Sequence, residues 1–226
     1  MSRYHSCFIT SITLLTIFLT GCSSSQPQPT KGSAYPQMYQ EKPRSILILP
    51  PINESTDTEA KDYYMTTTEV PFALMGYYVF PTEMVADILN QEGIYDASIL
   101  QNMPATKFYE YFGADAVLFT TIHKWDVSYT VVASTLHVAI SAKLVSTKTN
   151  KVLWEHSKSV TVDLGSANTN SLEGLLISVV LTAINTASAD YVEYAKVVND
   201  KLIYTLPAGP YSPMYLKDED MPLRQY

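Results

Sequence analysis

The stretch Thr135-Leu136-His137-Val138-Ala139-Ile140-Ser141-Ala142-Lys143-Leu144 alternates strictly. Leu136, Val138, Ile140, Ala142 and Leu144 fall on one side, and Thr135, His137, Ala139, Ser141 and Lys143 on the other. A period of two over this length predicts a half-buried antiparallel strand. The same period runs from Ile122 to Leu164. Thr147 to Lys151 is a polar turn in which Asn150 can take the left-handed conformation, and Val152 to Val162 returns. Trp125 to Ala133 should pair on the other side of the central strand, giving a meander of long strands. With a turn at Thr147 to Asn150, His156 is expected near Ser141 and His137 near Val160.

Upstream the pattern changes. Ser45-Ile46-Leu47-Ile48-Leu49 is a continuous apolar run, the mark of a strand buried on both faces, and Pro50-Pro51 stops it. Glu59 to Leu74 reads as a helix broken near Pro71, and Gly76 to Phe80 as a short strand ended by Pro81. Thr82 is placed to cap a helix running to Asn90, with Met84, Val85, Ile88 and Leu89 on one face. Gly93 is its left-handed end. Asp96 to Leu100 reads as a helical turn, Thr106 to Phe112 as a helix ending at Gly113, and Ala116 to Phe119 as a third buried strand. The whole predicts an α/β (α+β) fold: a mixed sheet with an antiparallel meander, packed by helices.

Downstream, Ser171 to Leu202 is the longest helical pattern. Its first half, Leu175 to Ile184, is apolar nearly all round yet too short to span a bilayer. Two readings stay open: deep burial on the sheet, or a partner interface through Leu175, Leu176, Val179 and Val180. Leu206 to Pro213 is too rich in Pro for regular structure. The tail is therefore either solvated or strapped onto the domain, or else an arm that docks Tyr211 on another subunit.

The amino terminus carries a different signal. Arg3 is the only full charge before Cys22, and Phe8 to Leu19 is a short, mostly apolar run. These match the n- and h-regions of a secretory signal. Leu19-Thr20-Gly21-Cys22 resembles the lipobox of bacterial lipoprotein precursors. The resemblance implies cleavage before Cys22, a diacylglycerol thioether on its sulfur and an N-acyl chain on its new amino group. Each buried acyl CH₂ contributes roughly 0.8 kcal/mol, so several chains hold the protein on a leaflet almost permanently. Ser23 in place of Asp implies, by resemblance to lipoprotein sorting, the outer membrane of a Gram-negative cell, on its periplasmic face. The expected organisation is a signal at 1–21, a lipidated flexible tether at 22–43, one α/β domain at 44–205 and a Pro/Tyr-rich tail at 206–226. The tether, rich in Ser, Gln and Pro, has an expected r.m.s. reach of roughly 25 Å.

Composition narrows the function. Removing the first 21 of 226 residues leaves 205, enough for one self-sufficient core. Lys and Arg number 15 against 22 Asp and Glu, a net charge of −7. No basic block occurs, so nucleic acid is not an expected partner and the lipid must supply membrane attachment. The two cysteines are Cys7, in the signal, and Cys22, so no disulfide is expected.

Several stretches resemble a known family: Ile48-Leu49-Pro50-Pro51-Ile52-Asn53-Glu54-Ser55, Gly76-Tyr77-Tyr78-Val79-Phe80-Pro81, Phe112-Gly113-Ala114-Asp115-Ala116-Val117-Leu118, Ile122-His123-Lys124-Trp125, Lys148-Thr149-Asn150-Lys151-Val152-Leu153-Trp154-Glu155 and Leu206-Pro207-Ala208-Gly209-Pro210-Tyr211. Together they resemble a bacterial lipoprotein family of unknown function that includes a neisserial antigen lipoprotein. More loosely, the hairpin and the Gly-Ala-Asp step resemble CsgG-type secretion lipoproteins, the TolB amino-terminal domain and Lpo-type activators of peptidoglycan synthases. The resemblance implies an α/β sandwich and envelope work through protein contacts, with a CsgG-like lipoprotein or a second copy of the chain as candidate partners. It supplies no catalytic residues. The meander lacks the second outward apolar face and the aromatic girdles that pore strands need.

The residues themselves point away from catalysis. His123, His137 and His156 are scattered on predicted strands, and no metal-ligand spacing, nucleophile elbow or phosphate loop occurs. No metal and no cofactor beyond the acyl chains is expected. Asp115 reads as a turn residue, and Trp125 and Trp154 as sheet packing or rim anchors. Three functions remain: a non-enzymatic accessory or structural subunit of an envelope secretion, transport or surface assembly; a ligand- or peptidoglycan-binding lipoprotein; and a hydrolase, which would need a histidine, a carboxylate and a hydroxyl converging in a pocket.

Overall fold

The computed structural model describes residues 28–129, 134–163 and 191–223. In its sheet β1 (Ser45–Ile48) pairs in parallel with β4 (Ala116–Tyr129) on one side and β3 (Tyr78–Val79) on the other. The two-residue β2 (Ile52–Asn53) also runs parallel to β4. β4 then pairs antiparallel with β5 (Ser134–Ser146), and β5 with β6 (Val152–Asp163). One sheet thus has a parallel half and an antiparallel half, in the order β3-β1-β4-β5-β6. This is the mixed sheet predicted from the two patterns of periodicity.

Alternation sorts the apolar side chains to two faces. Ile46, Ile48, Leu118 and Ile122 join one core with α3 (Ala60–Leu74) and α7 (Tyr191–Ile203). Leu47, Leu49, Val117 and Phe119 join a second core under α4 (Thr82–Gln91), α5 (Ala97–Gln101) and α6 (Ala105–Phe112). Leu136, Val138, Ile140, Ala142 and Leu144, the predicted inward set of β5, are all buried in the first core. Beyond Phe119 the second face of β4–β6 turns polar. Among the described side chains there, Thr121, His123, Lys124, His137, Ser141, Glu155, Ser157 and Ser159 are exposed or half-exposed.

Several expectations are corrected. Residues 30–43 are not tether. Thr30 caps α1 (Lys31–Ala34) with a capping box, and Pro36 opens α2 (Pro36–Glu41) at a position where its missing N–H costs nothing. Met38 is buried, and Tyr35 and Tyr39 pack on the core. Three large apolar side chains in a Ser/Gln/Pro-rich background suffice to hold the segment down. The tail is likewise part of the domain: Leu206, Ala208 and Asp218 are buried, so the strap reading holds and the folded body runs past 44–205 at both ends.

Helix α3 runs unbroken through Pro71, which lies in its last turn. Thr82 is the first residue of α4 rather than its cap. Its backbone N–H and hydroxyl both donate to Oε1 of Glu69 on α3, so a carboxylate from a neighbouring helix supplies the capping acceptor. Of the four residues predicted for the buried face of α4, Val85 and Leu89 are buried while Met84 and Ile88 are exposed. The segments 116–119 and 125–129 belong to one strand, with a bulge at His123. A second bulge at Leu153 moves the β5–β6 register by one, so His156 faces Ala142 and His137 faces Thr161. Gly93, Gly113 and Asn150 take positive φ as predicted. Of the long helical pattern, α7 carries Ala195, Val198 and Leu202 inward; Leu175, Leu176, Val179 and Val180 lie outside the described residues.

Candidate functional site

Three features of the structure can carry a function: an arm–strap junction, a polar sheet face and a crevice. At the junction the segment 28–43, the arm, locks onto the segment 206–223, the strap. Lys31 N–H donates to Met221 O at 2.9 Å, Gly32 N–H to Glu219 O at 2.8 Å and Leu223 N–H to Pro29 O at 2.8 Å. Beneath these bonds Asp218 is almost fully buried. Its carboxylate accepts from Lys31 Nζ at 3.1 Å, Tyr39 Oη at 3.1 Å and Ala208 N–H at 2.8 Å, while Lys31 Nζ also donates to Leu206 O at 2.8 Å. Burial, with the negative charge of Asp218 adding to it, pushes the Tyr39 phenol far above its usual range, so it stays a neutral donor.

The strap then crosses the end of α3. Gly209 N–H donates to Met75 O at 2.8 Å and Tyr211 N–H to Gly76 O at 3.0 Å. Tyr77 Oη donates to Pro207 O at 2.8 Å. Gly76 has φ +91°, and a Cβ there would collide with the backbone of Ser212. A Cβ on Gly209 would collide with the Gly76 carbonyl. Both glycines are required because two backbones cross there. Tyr211, the predicted docking residue, lies on this strap and is 71% exposed. A groove of about 610 Å³ opens beside the junction, with Lys31, Met75, Asp200, Tyr204 and Met221 in its walls. Burial raises the Asp200 carboxyl above the ordinary carboxylate range.

The polar sheet face holds a histidine between a carboxylate and a hydroxyl. His123 Nδ1 is 2.7 Å from Glu54 Oε2, and its Nε2 is 2.7 Å from Ser141 Oγ. The constellation has the parts of a nucleophilic triad but not its surroundings. The His123 and Glu54 side chains are 48% and 55% exposed. Ser141 sits mid-strand between Thr121 and Ser157, so its backbone N–H belongs to the ladder and cannot stabilise an oxyanion. The histidines do not meet: His137 Nδ1 is 3.1 Å from Thr161 Oγ1, and His156 is half-buried on the opposite face, where burial and then Lys158 hold its pKa below the ordinary value. Among the described residues no His, Cys, Asp and Glu cluster could hold a metal ion.

The crevice, of about 600 Å³, lies beyond the carboxyl end of β1, between α3 and α4. Pro50, Pro51, Met65, Ile94 and Tyr95 wall it, with Lys61 and Asp62 among its polar groups. β1 continues to β3 on one side and pairs with β4 on the other, so the crevice marks the point where strand order reverses, the usual ligand position in such sheets.

The remaining predicted residues have structural roles. Asp115 accepts from Arg44 N–H at 3.0 Å and from Lys148 Nζ at 2.6 Å, tying β1 to the β5–β6 turn. Burial opposes its ionisation, but these donors outweigh burial and lower its pKa. Trp154 Nε1 donates to Thr205 Oγ1 at 3.0 Å, and Trp125 stacks on Tyr63 with centroids 6.3 Å apart; both indoles are buried in the sheet core. Leu19, Thr20, Gly21 and Cys22 lie outside the described residues. Asp218, Lys31 and the Glu54–His123–Ser141 chain escaped the sequence reading, because their members are far apart in the chain.

Comparison with known proteins agrees with this architecture. Residues 33–210 match the family model described as "Putative lipoprotein GNA1162-like". The lipoprotein NMB1124/NMB1162 of Neisseria meningitidis serogroup B is 33% identical over 190 residues, which covers 84% of this chain and 86% of the neisserial one. The crystal structure of lipoprotein GNA1162 from Neisseria meningitidis superposes with a TM-score of 0.53 at 33% identity, covering 63% of this chain and 95% of that one.

Proposed function

The chain belongs to the GNA1162-like lipoprotein family, and from that membership and its geometry we propose that it is a non-enzymatic accessory or structural subunit of a cell-envelope secretion, transport or surface-assembly complex. It is held on the periplasmic face of the outer membrane by the acyl chains of Cys22. Protein contacts, with a CsgG-like lipoprotein or with further copies of itself, carry its work. The observation that supports this reading is the arm–strap junction: a buried ion pair and a run of backbone bonds join the anchor-bearing end to the body. Such a junction holds the domain in a fixed attitude to whatever the amino terminus is attached to, as a scaffold requires. The one described histidine–carboxylate–hydroxyl chain, on an open strand without an oxyanion donor, gives a hydrolase no footing.

Cross-linking in intact cells followed by detergent extraction tests the proposal. A defined homo-oligomer or a stoichiometric complex with an envelope protein supports it, and a strict monomer removes it. Mass spectrometry of the amino-terminal peptide tests the anchor: a free thiol on Cys22 would refute it. The crevice beyond β1 favours a second reading, a peptidoglycan- or ligand-binding lipoprotein. That reading predicts thermal stabilisation by soluble cell-wall fragments and loss of the effect in Tyr95→Ala.

A further inference from the structure

We propose that the strap pole of the domain lies flat on the leaflet that holds the anchor, with Leu74, Tyr78, Tyr211, Met214 and Leu216 in the head-group region. The inference rests on the lipid anchor at Cys22 and adds the face that the domain turns to the membrane.

Chain length sets the first constraint. Gln28, the first described residue, is six residues from Cys22. At no more than ~3.6 Å per residue, the fold begins within about 22 Å of the acylated sulfur, whatever path the chain takes. The segment that was expected to let the domain stand off is largely consumed by α1 and α2. The second constraint is where that short lead enters. Pro29 and Lys31 are bonded to Leu223 and Met221, so the anchor emerges at the strap and nowhere else.

Exposed large apolar side chains gather at this pole, as a second group (Met84, Ile88, Tyr95, Ile99, Tyr109 and Tyr111) does around α4–α6, but it is the first that adjoins the short lead to Cys22. Leu74 ends α3 with 79% exposure, Val70 lies one turn before it, and Tyr211 stands over Gly76, two residues from both Leu74 and Tyr78. Met214, Leu216 and Met221 continue the series along the strap, and each is more than a third exposed. By contrast, Val152 is the one exposed large apolar side chain among the described residues of β4–β6. Exposed Leu, Met and Tyr gathered beside an acyl anchor match the chemistry of an interfacial contact: apolar bodies sink to the head-group boundary while phenol hydroxyls stay wet. The strap itself is acidic, and Arg44, next to Tyr78, is an exposed cation that adjoins the named apolar residues. Lys217 faces water beside the exposed Glu219 and Asp220, so the strap offers anionic lipid no basic patch. The occupant is therefore a neutral or zwitterionic lipid surface.

The test uses the full lipidated protein in phosphatidylcholine vesicles. Once Cys22 is acylated the mature chain has no other cysteine, so Tyr211→Cys and Ser157→Cys each accept one environment-sensitive fluorophore, the first on the strap and the second on the polar sheet face. Lipids with a nitroxide near the head group should take away more than half of the emission at position 211 and little of that at 157. Adding phosphatidylglycerol should leave the difference unchanged. Vesicle flotation is read in parallel. A protein that does not float overturns both the anchor and this inference. A protein that floats with position 211 unquenched, or with 157 quenched instead, overturns this inference alone. So does cross-linking of position 211 between two copies, which would give the patch to a second protomer.

Discussion

The arm–strap junction and the outward face of β4–β6 use similar polar groups to opposite effect. At the junction, Asp218 is removed from water and answered by an ammonium, a phenol and a backbone N–H. On the sheet face, Glu54 and Ser141 meet His123 at 2.7 Å each, shorter than all three of those bonds, which measure 3.1, 3.1 and 2.8 Å, yet the His123 and Glu54 side chains stay wet. The comparison teaches that hydrogen-bond length says little about consequence. Removing one partner from a buried pair strands a charge, while removing one from an exposed pair returns the other to solvent.

The largest expected effect is at the junction. Asp218→Ala leaves Lys31, with a side chain only 12% exposed, without its counter-ion, and should cost about 3 kcal/mol. In a domain of this size that lowers Tm by roughly 6–12 °C. Replacing both partners, Lys31→Met with Asp218→Leu, should restore much of the loss in the same calorimetric scan. An unchanged Tm in the single variant would remove the distinction between the two regions. Next is Gly76→Ala. It combines a positive φ with a collision against Ser212, and should cost about 2 kcal/mol in denaturant unfolding while freeing the strap to limited proteolysis.

A smaller effect is tied to pH. Burial and Lys158 lower the folded-state pKa of His156 below its ordinary 6.5. As pH falls through 6.5 the unfolded chain takes up this proton first, so stability is lost on acidification until the lowered folded pKa is passed. His156→Gln should flatten the Tm–pH curve in that window, and an unaltered slope would count against burial as the cause. The smallest effect belongs to the sheet face. His123→Ala and Ser141→Ala should each shift stability by less than about 0.5 kcal/mol and leave background hydrolysis of an activated ester unchanged. A loss of hydrolysis in either variant would reopen the enzyme reading.

Features with a local signal are legible in the sequence, and those without one are not. The alternation from Leu136 to Leu144 gave the buried side of β5 correctly, and Gly93, Gly113 and Asn150 each end or turn an element as their chemistry requires. The errors share a cause. Thr82 has the residue type of a cap, but the acceptor comes from Glu69 on another helix. The β5–β6 register was one residue out because the bulge at Leu153 has no signature in the local pattern. Residues 30–43 have the polar composition of a tether, and Met38, Tyr35 and Tyr39 count against it only once a core is present to receive them. The Glu54–His123–Ser141 chain was out of reach, since it depends on β2 lying beside β4.

The amino-acid sequence by itself determined the family, the mixed sheet and most of its helices, because motifs, periodicity and turn residues act over a few neighbours. The tertiary structure alone decided where arm and strap meet, which glycines let backbones cross and which face is left open. Lys31 and Asp218 are 187 residues apart, and neither carries a mark of its partner. Only the closing of the core brings them within reach, and only burial makes their meeting matter.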